Sequence, residues 1–214
     1  MTRFGVLGSG EVGQTLASGL KTHGHEVRIG SRSPAKLADF QKQTGILAAD
    51  FAEVAAWSEA LVLAVLGTGA LDALALAGAD NLRGKLVIDT TNPIAPAPPK
   101  DGVLSFFTGP NESLMERLQQ AHPEARFVKA FNTVGSDLMV SPRLPGGPPT
   151  MFYCGNDAAA KATVADLLVR FGWEPADMGT AVAARALEPL CILWCIPGFL
   201  ENDWTHAFRL LRKR

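Results

Sequence analysis

Three glycines and two cations carry the chemistry most plainly readable in this chain. Gly8, Gly10 and Gly13 stand as GxGxxG within GVLGSGEVGQTLASGL, residues 5–20, directly after a short apolar run. In such a turn the first glycine permits the tight bend, the second lets a pyrophosphate approach the backbone, and the third lets helix and strand pack closely. Ser9 lies inside the turn, and Glu11 and Val12 open the helix whose free N–H groups and positive dipole end suit phosphates. All are candidate cofactor contacts. An NAD site commonly places Asp or Glu about 20 residues beyond the glycines, to bond the ribose 2′-OH. Here that place reads GSRSPAK, residues 30–36. A carboxylate would repel a 2′-phosphate, whereas Ser31 donates a hydroxyl, Arg32 a guanidinium fork and Lys36 an ammonium. The pattern predicts NADP rather than NAD.

In a doubly wound sheet the ligand lies beyond the carboxyl ends of the strands. Leu66 and Gly67, Thr90 to Pro93, and Phe131 to Gly135 are thereby expected around the reacting ring. Asn92 and Asn132 can hydrogen-bond a ribose or a carboxamide, and Pro93 fixes a turn; each equally suits a strand-end cap or turn. No His, Lys and Glu set for moving a proton between hydroxyl and carbonyl is evident along these loops. Lys129 could serve as a base, but a lysine on a strand is more often a snorkelling surface residue. His23, His25, His122 and His206 are scattered and read as structural or solvated. Hydride exchange between two stacked rings asks less of a protein than alcohol oxidation does. Cys154, Cys191 and Cys195 lie in apolar surroundings without a CxxC or histidine cluster, and read as reduced core thiols rather than metal ligands.

These residues need a scaffold of alternating strands and helices. Apolar runs at 3–8, 25–30, 60–66, 85–91 and 126–132 predict βαβ units, a parallel sheet and helices on both faces. Residues 11–22 predict a helix ended by Gly24, and Ser33 is placed to cap a second helix starting at Pro34. NPIAPAPPKDG, within the stretch 93–110, reads as a loop over the carboxyl edge. SPRLPGGPP, 141–149, marks the expected boundary between a dinucleotide-binding domain over 1–140 and a small α/β domain over 150–214. There a strand TMFYCG, a helix 157–172, a strand WEPADMG and helices from about 180 are expected. Leu187, Leu190, Cys191 and Trp194 fall at helical spacing, as core or dimer seam.

Composition bounds the rest. The 214 residues are 47% hydrophobic and 19% charged, which suits a compact globular protein. Twenty basic against 21 acidic residues leave a net charge of −1, which argues against a polyanion-binding surface. The basic end with Arg209, Arg212, Lys213 and Arg214 supports no nucleic-acid partner. The first residues, MTRFGVLGSG, lack the long apolar stretch and small-residue cleavage site expected of a signal peptide, and LEPLCILWCIPGFL, interrupted by Pro189 and Pro197, reads as too short for the roughly 20 residues of a bilayer span. A cytoplasmic protein without a membrane partner is expected.

GVLGSGEVGQTLASGL, GSRSPAK, LVIDTTNP, VKAFNTVG, MFYCGND and ARALEPL occur in order from about residue 3 to 195. Together they resemble the NADP oxidoreductase family typified by the NADPH-dependent reductase of the deazaflavin coenzyme F-420. The resemblance implies a Rossmann domain with a small carboxyl-terminal domain, often dimeric, and hydride exchange between NADP and a deazaflavin held between the domains. Ser31, Arg32 and Lys36 match the family's 2′-phosphate contacts and Ser9 its phosphate turn. Leu66 and Gly67 match its cofactor walls, with Asn92, Pro93 and Asn132 near the reacting ring. The loop 94–113 departs from the family pattern. The same module also resembles the cytosolic part of membrane ferric reductases.

An NADPH-dependent enzyme passing hydride to a small planar redox acceptor such as the deazaflavin coenzyme F-420 is therefore expected, with a deazaflavin or a flavin as the co-substrate beside NADP. Three alternatives stand beside it: a flavin or ferric-type reductase, a β-hydroxyacid or imine reductase using Lys129, and a non-catalytic NADPH-sensing regulator.

Overall fold

The computed structural model describes residues 1–213; Arg214 of the basic end lies outside them. β1 (Arg3–Leu7), α1 (Glu11–Thr22) and β2 (Glu26–Gly30) form the first unit. α2 (Ala38–Thr44), β3 (Leu47–Ala49), α3 (Phe51–Trp57) and β4 (Ala60–Leu63) follow, then α4 (Ala70–Ala77), α5 (Ala79–Leu82) and β5 (Leu86–Asp89). After a long loop come α6 (Leu114–Ala121), β6 (Arg126–Lys129), β7 (Thr150–Gly155), α7 (Ala158–Arg170), β8 (Glu174–Asp177) and α8 (Ala184–Glu201).

Eight strands make one sheet in the order β3-β2-β1-β4-β5-β6-β7-β8. The order turns back between β1 and β4, so a crevice opens there beyond the strands' carboxyl ends. This is an α/β Rossmann-type fold. All pairings are parallel except β6 with β7. A parallel return needs a crossover helix, and the link from Ala130 to Pro149 holds only a short 3-10 turn, Ser136–Leu138. The proline- and glycine-rich stretch 141–149 is a loop, and the residues after it extend the same sheet.

Strand alternation sorts the core into two layers. Phe4, Val6, Val62, Ile88 and Val128 face Leu16, Leu20, Val164 and Leu168 of α1 and α7. Leu7, Leu61, Leu63, Val87 and Phe127 face Phe51, Leu74, Leu118 and Leu187 of α3, α4, α6 and α8. Asp89 follows Val87 by two residues and Lys129 follows Phe127 by two, so both share the layer covered by α6 and α8.

Two expectations are corrected. The segment after β2 starts as a 3-10 turn, Pro34–Leu37, before α2, and Ser33 makes no side-chain cap; its N–H instead donates to Ser31 Oγ at 3.1 Å. The last apolar run, read as interrupted by Pro189 and Pro197 and too short for a bilayer span, is instead continuous, with both prolines inside α8. The stretch Ala181–Glu201 is long and apolar enough, by length and composition, to cross a membrane. Burial of Leu187, Cys191 and Trp194 on the protein offsets the prolines' missing hydrogen bonds. The expected stripe is thus core, with Leu190 only half-buried.

Candidate functional site

The turn after β1 is shaped by contacts that leave no room for side chains. A Cβ on Gly8, whose φ is +137°, would stand 1.9 Å from Ala64 O, and one on Gly13 would stand 2.1 Å from Gly8 O. Gly10 differs: nothing lies within 4 Å of its added Cβ. The first and third glycines are needed by the protein, and the second keeps a backbone face open. Gly10 also sits at the N-cap of α1 without a side-chain cap, and Glu11 and Val12 open the helix. The unbonded N–H groups of that first turn suit an anion.

Ser9 and Ser31 are brought together, with Ser31 Oγ donating to Ser9 Oγ at 3.3 Å. Gln14 Nε2 holds the turn through Ser9 O at 2.8 Å. Ser31 is buried, whereas Arg32 and Lys36 are exposed. Among the described residues neither cation has a carboxylate at ion-pair distance. Arg28, four residues before Arg32, is by contrast paired with Glu53 and lies over Trp57, 4.5 Å from its centroid. The donor set fits a dianionic phosphate, and the open Gly10 face fits a pyrophosphate.

Across the crevice a second group of candidates is in contact. A Cβ on Gly67 would stand 2.0 Å from Asn92 O, so glycine lets the β4 exit lie on the β5 exit. Asn92 Nδ2 donates to Asn132 O at 2.8 Å, and Asn132 Nδ2 donates to Asn92 Oδ1 at 3.0 Å. Pro93 is buried, and its carbonyl accepts from Phe107 N at 2.9 Å. Leu66 stands 82% exposed beside them.

Beneath this group lies a charge cluster that sequence reasoning missed. Lys129 is not a surface residue: its side chain is 0% exposed, with Nζ 2.8 Å from Asp89 Oδ2 and 3.0 Å from Glu188 Oε1. It also donates to Thr91 O at 2.6 Å. Asp89 and Lys129 are direct partners in the parallel register of β5 and β6. Asp89 Oδ1 accepts from Thr91 N and Thr91 Oγ1 at 2.9 and 2.7 Å, shaping the exit of β5. Glu188 accepts from Leu114 N and Met115 N, at 2.9 and 3.0 Å, and so bonds the start of α6. One acid and one base, each inside an apolar strand run of neighbouring βα units, was the available signal, since such charges are seldom buried unless paired.

Burial alone would lower the Lys129 pKa, but the adjoining carboxylates of Asp89 and Glu188 outweigh it and raise it. The group is a fixed ammonium without a lone pair to accept a proton. Cys154, its partner in β7, is pushed up to about 12 chiefly by burial and stays a thiol. Cys154, Cys191 and Cys195 are all free. His25 meets Phe4 edge-on at 5.0 Å, and His206 stacks on Trp194 at 5.1 Å.

A family model described as NADP oxidoreductase coenzyme F420-dependent matches residues 3–93. A candidate F420-dependent NADP-reductase from Arthrobacter sp. FB24 is 38% identical in its crystal structure, with a TM-score of 0.93 over 99% of this chain and 100% of that one. The metalloreductase STEAP3 of Rattus norvegicus is 32% identical over 204 residues, 92% of this chain and 39% of that protein. The chain thus spans about two fifths of that curated relative. A reductive aminase from Aspergillus terreus, solved with NADPH4, shares the fold at 20% identity, with a TM-score of 0.68 over 94% of this chain and 63% of that one.

Proposed function

This chain belongs to the coenzyme F420-dependent family of NADP oxidoreductases, and from that premise we propose that it exchanges hydride between NADPH and a planar deazaflavin acceptor of the coenzyme F-420 type. The observation that carries the reading is the exit of β2: buried Ser31 tied to Ser9 of the glycine turn, with Arg32 and Lys36, unpaired among the described residues, beside it and no carboxylate in the place that would select NAD.

Ser31, Arg32 and Lys36 would hold the 2′-phosphate, and Ser9, Gly10 and the first N–H groups of α1, at Glu11 and Val12, the pyrophosphate. Asn92, Pro93 and Asn132, with Gly67 beneath and Leu66 above, would wall the nicotinamide end. When bound, NADPH supplies two electrons and a proton as hydride to the acceptor ring, which takes its second proton from water, and leaves as NADP+. The chain's task is to hold two rings face to face and keep them from slipping. A locked ammonium at Lys129 suits this better than carbonyl chemistry, which needs a group free to move a proton. The β-hydroxyacid and imine readings would need a base other than Lys129.

The test mixes the protein with NADPH and an oxidised 5-deazaflavin, and follows loss of nicotinamide absorbance. Turnover with NADPH and little with NADH supports the reading. Tight NADPH binding with no hydride loss to deazaflavin, flavin or ferric chelate would overturn it in favour of an NADPH-sensing regulator. A second acceptor class, a metal chelate, is favoured by the similarity to metalloreductase STEAP3, and ferric chelates belong in the same assay beside flavin. Exposed Leu193, Phe199 and Leu200 on α8 support a homodimer seam, which gel filtration tests.

A further inference from the structure

Two tiers of contacts join the same three segments: the exits of β5 and β6, and α8. In the lower tier Lys129 Nζ reaches Thr91 O, Asp89 and Glu188 at 2.6 to 3.0 Å. The upper tier uses the neighbouring residues. Asn132 Nδ2 reaches Asn92 Oδ1 at 3.0 Å and Leu187 O at 2.9 Å. Thr91 adjoins Asn92 and Glu188 adjoins Leu187, so whatever fixes the ionic tier also fixes both partners of Asn132. Phe131, just before it, is held at a φ of +63°, a conformation that a bulky residue keeps only where its surroundings impose it. Glu188 itself is 1% exposed and has three donors: Lys129 Nζ and the N–H groups of Leu114 and Met115.

We propose that Glu188 is a positioning residue for the nicotinamide end: by locking α8 to Lys129 and to the start of α6, it sets the place of Leu187 O and so the orientation of Asn132 and Asn92. This rests on the reading that the nicotinamide half of NADPH lies against those two amides. Glu188 is 74 residues from Leu114 and touches none of the expected phosphate contacts. Its influence falls on one half of the dinucleotide and spares the other.

Adenosine 2′,5′-bisphosphate, which carries the 2′-phosphate but no nicotinamide, separates the halves. Dissociation constants for it and for NADPH are measured by titration on the wild-type chain and on Glu188→Gln, which keeps the size and removes the charge. The expected result is unchanged bisphosphate affinity and NADPH affinity weakened about tenfold, the scale of a charge-assisted hydrogen bond lost from a buried network. Glu188→Asp keeps the buried carboxylate while shortening its reach, and is measured alongside in case the neutral variant does not fold; a smaller shift of the same kind is expected. Equal weakening of both ligands, or a ratio that stays at the wild-type value in the variants that fold, would overturn the proposal. Should the wild-type chain hold NADPH no more tightly than the bisphosphate, the reading of the nicotinamide end fails first and takes the inference with it.

Discussion

At the exit of β2, Arg32 and Lys36 stand in solvent with no carboxylate at ion-pair distance among the described residues, whereas at the exits of β5 and β6 Lys129 is sealed from solvent between Asp89 and Glu188. Both places present positive charge along the same carboxyl edge of one sheet. Where charge is exposed and unmatched it is free to meet a partner from outside, and the neighbourhood suits a phosphate. Where it is buried and matched, it has no capacity left for a ligand, and its effect is on geometry. On the proposed reading, the same side-chain chemistry serves recognition at one end and alignment at the other.

The largest effect that would sharpen this contrast comes from Lys129→Met. It leaves two buried carboxylates facing each other without the ammonium, and breaking a buried pair from one side typically costs about 3–5 kcal/mol. Urea unfolding should show that loss, while Arg32→Met should leave the midpoint nearly unchanged. Comparable destabilisation by both would erase the distinction. The pH profile bears on it too. A lysine whose folded pKa is raised above its unfolded value of 10.5 contributes stability fully below that value, which is lost only as pH rises through the higher folded one. NADPH binding should therefore show no titration limb from Lys129 across neutral and mildly alkaline pH, and a limb there that vanishes in Lys129→Met would restore it as a base.

Next in size is Arg32→Ala, which should weaken NADPH by about tenfold to a hundredfold, the range for a hydrogen bond to a charged group, and leave NADH unaltered. Equal loss for both dinucleotides would move the 2′-phosphate away from β2. The glycines extend the comparison to the backbone. Gly8→Ala drives a Cβ into Ala64 O and should cost about 1–3 kcal/mol of stability. Gly10→Ala meets no protein atom, so its stability should stay within about 0.5 kcal/mol while NADPH affinity falls. An unaltered affinity in Gly10→Ala would mean that this face is not where the pyrophosphate lies.

The two regions also differ in how far they could be read from sequence. The glycine turn and the Ser31–Lys36 loop lie within one βαβ unit, and strand, turn and helix follow in chain order with bounds close to those seen. The ionic tier joins residues 89, 129 and 188, which only the sheet register and the docking of α8 bring together. Lys129 looked like a surface group because its partners lie 40 and 59 positions away, as the register of β5 and β6 and the ion pair to Glu188 require. The last helix misled for a related reason: its two prolines are local stop signals, and the burial that overrides them is tertiary. The antiparallel turn into β7 was likewise invisible, since strand-like runs carry no sign of direction.

The smallest expected effect probes the rim of the buried tier. Arg185, three residues before Glu188, makes a two-pronged ion pair with Glu116 of α6, with contacts of 2.7 to 3.2 Å, and Glu116 also accepts from Ser113 Oγ at 2.7 Å. The Arg185 hydrogen bond, ahead of the Ser113 contacts, holds the Glu116 carboxyl below its ordinary value of 4.5 against the opposing effect of burial. A depressed carboxylate contributes stability that is present above its unfolded pKa and is lost as pH falls through the folded one. Thermal unfolding followed from neutral pH to below 4.5 should thus show a wild-type decline that is shallower in Arg185→Ala, by the small amount typical of exposed ion pairs. Because this pair ties α8 to α6 outside the Lys129 contacts, the same variant should leave the NADPH-to-bisphosphate affinity ratio at the wild-type value. If the ratio fell as far as in Glu188→Gln, the rim rather than the buried carboxylate would be setting the place of α8, and alignment would not belong to the matched interior charges alone.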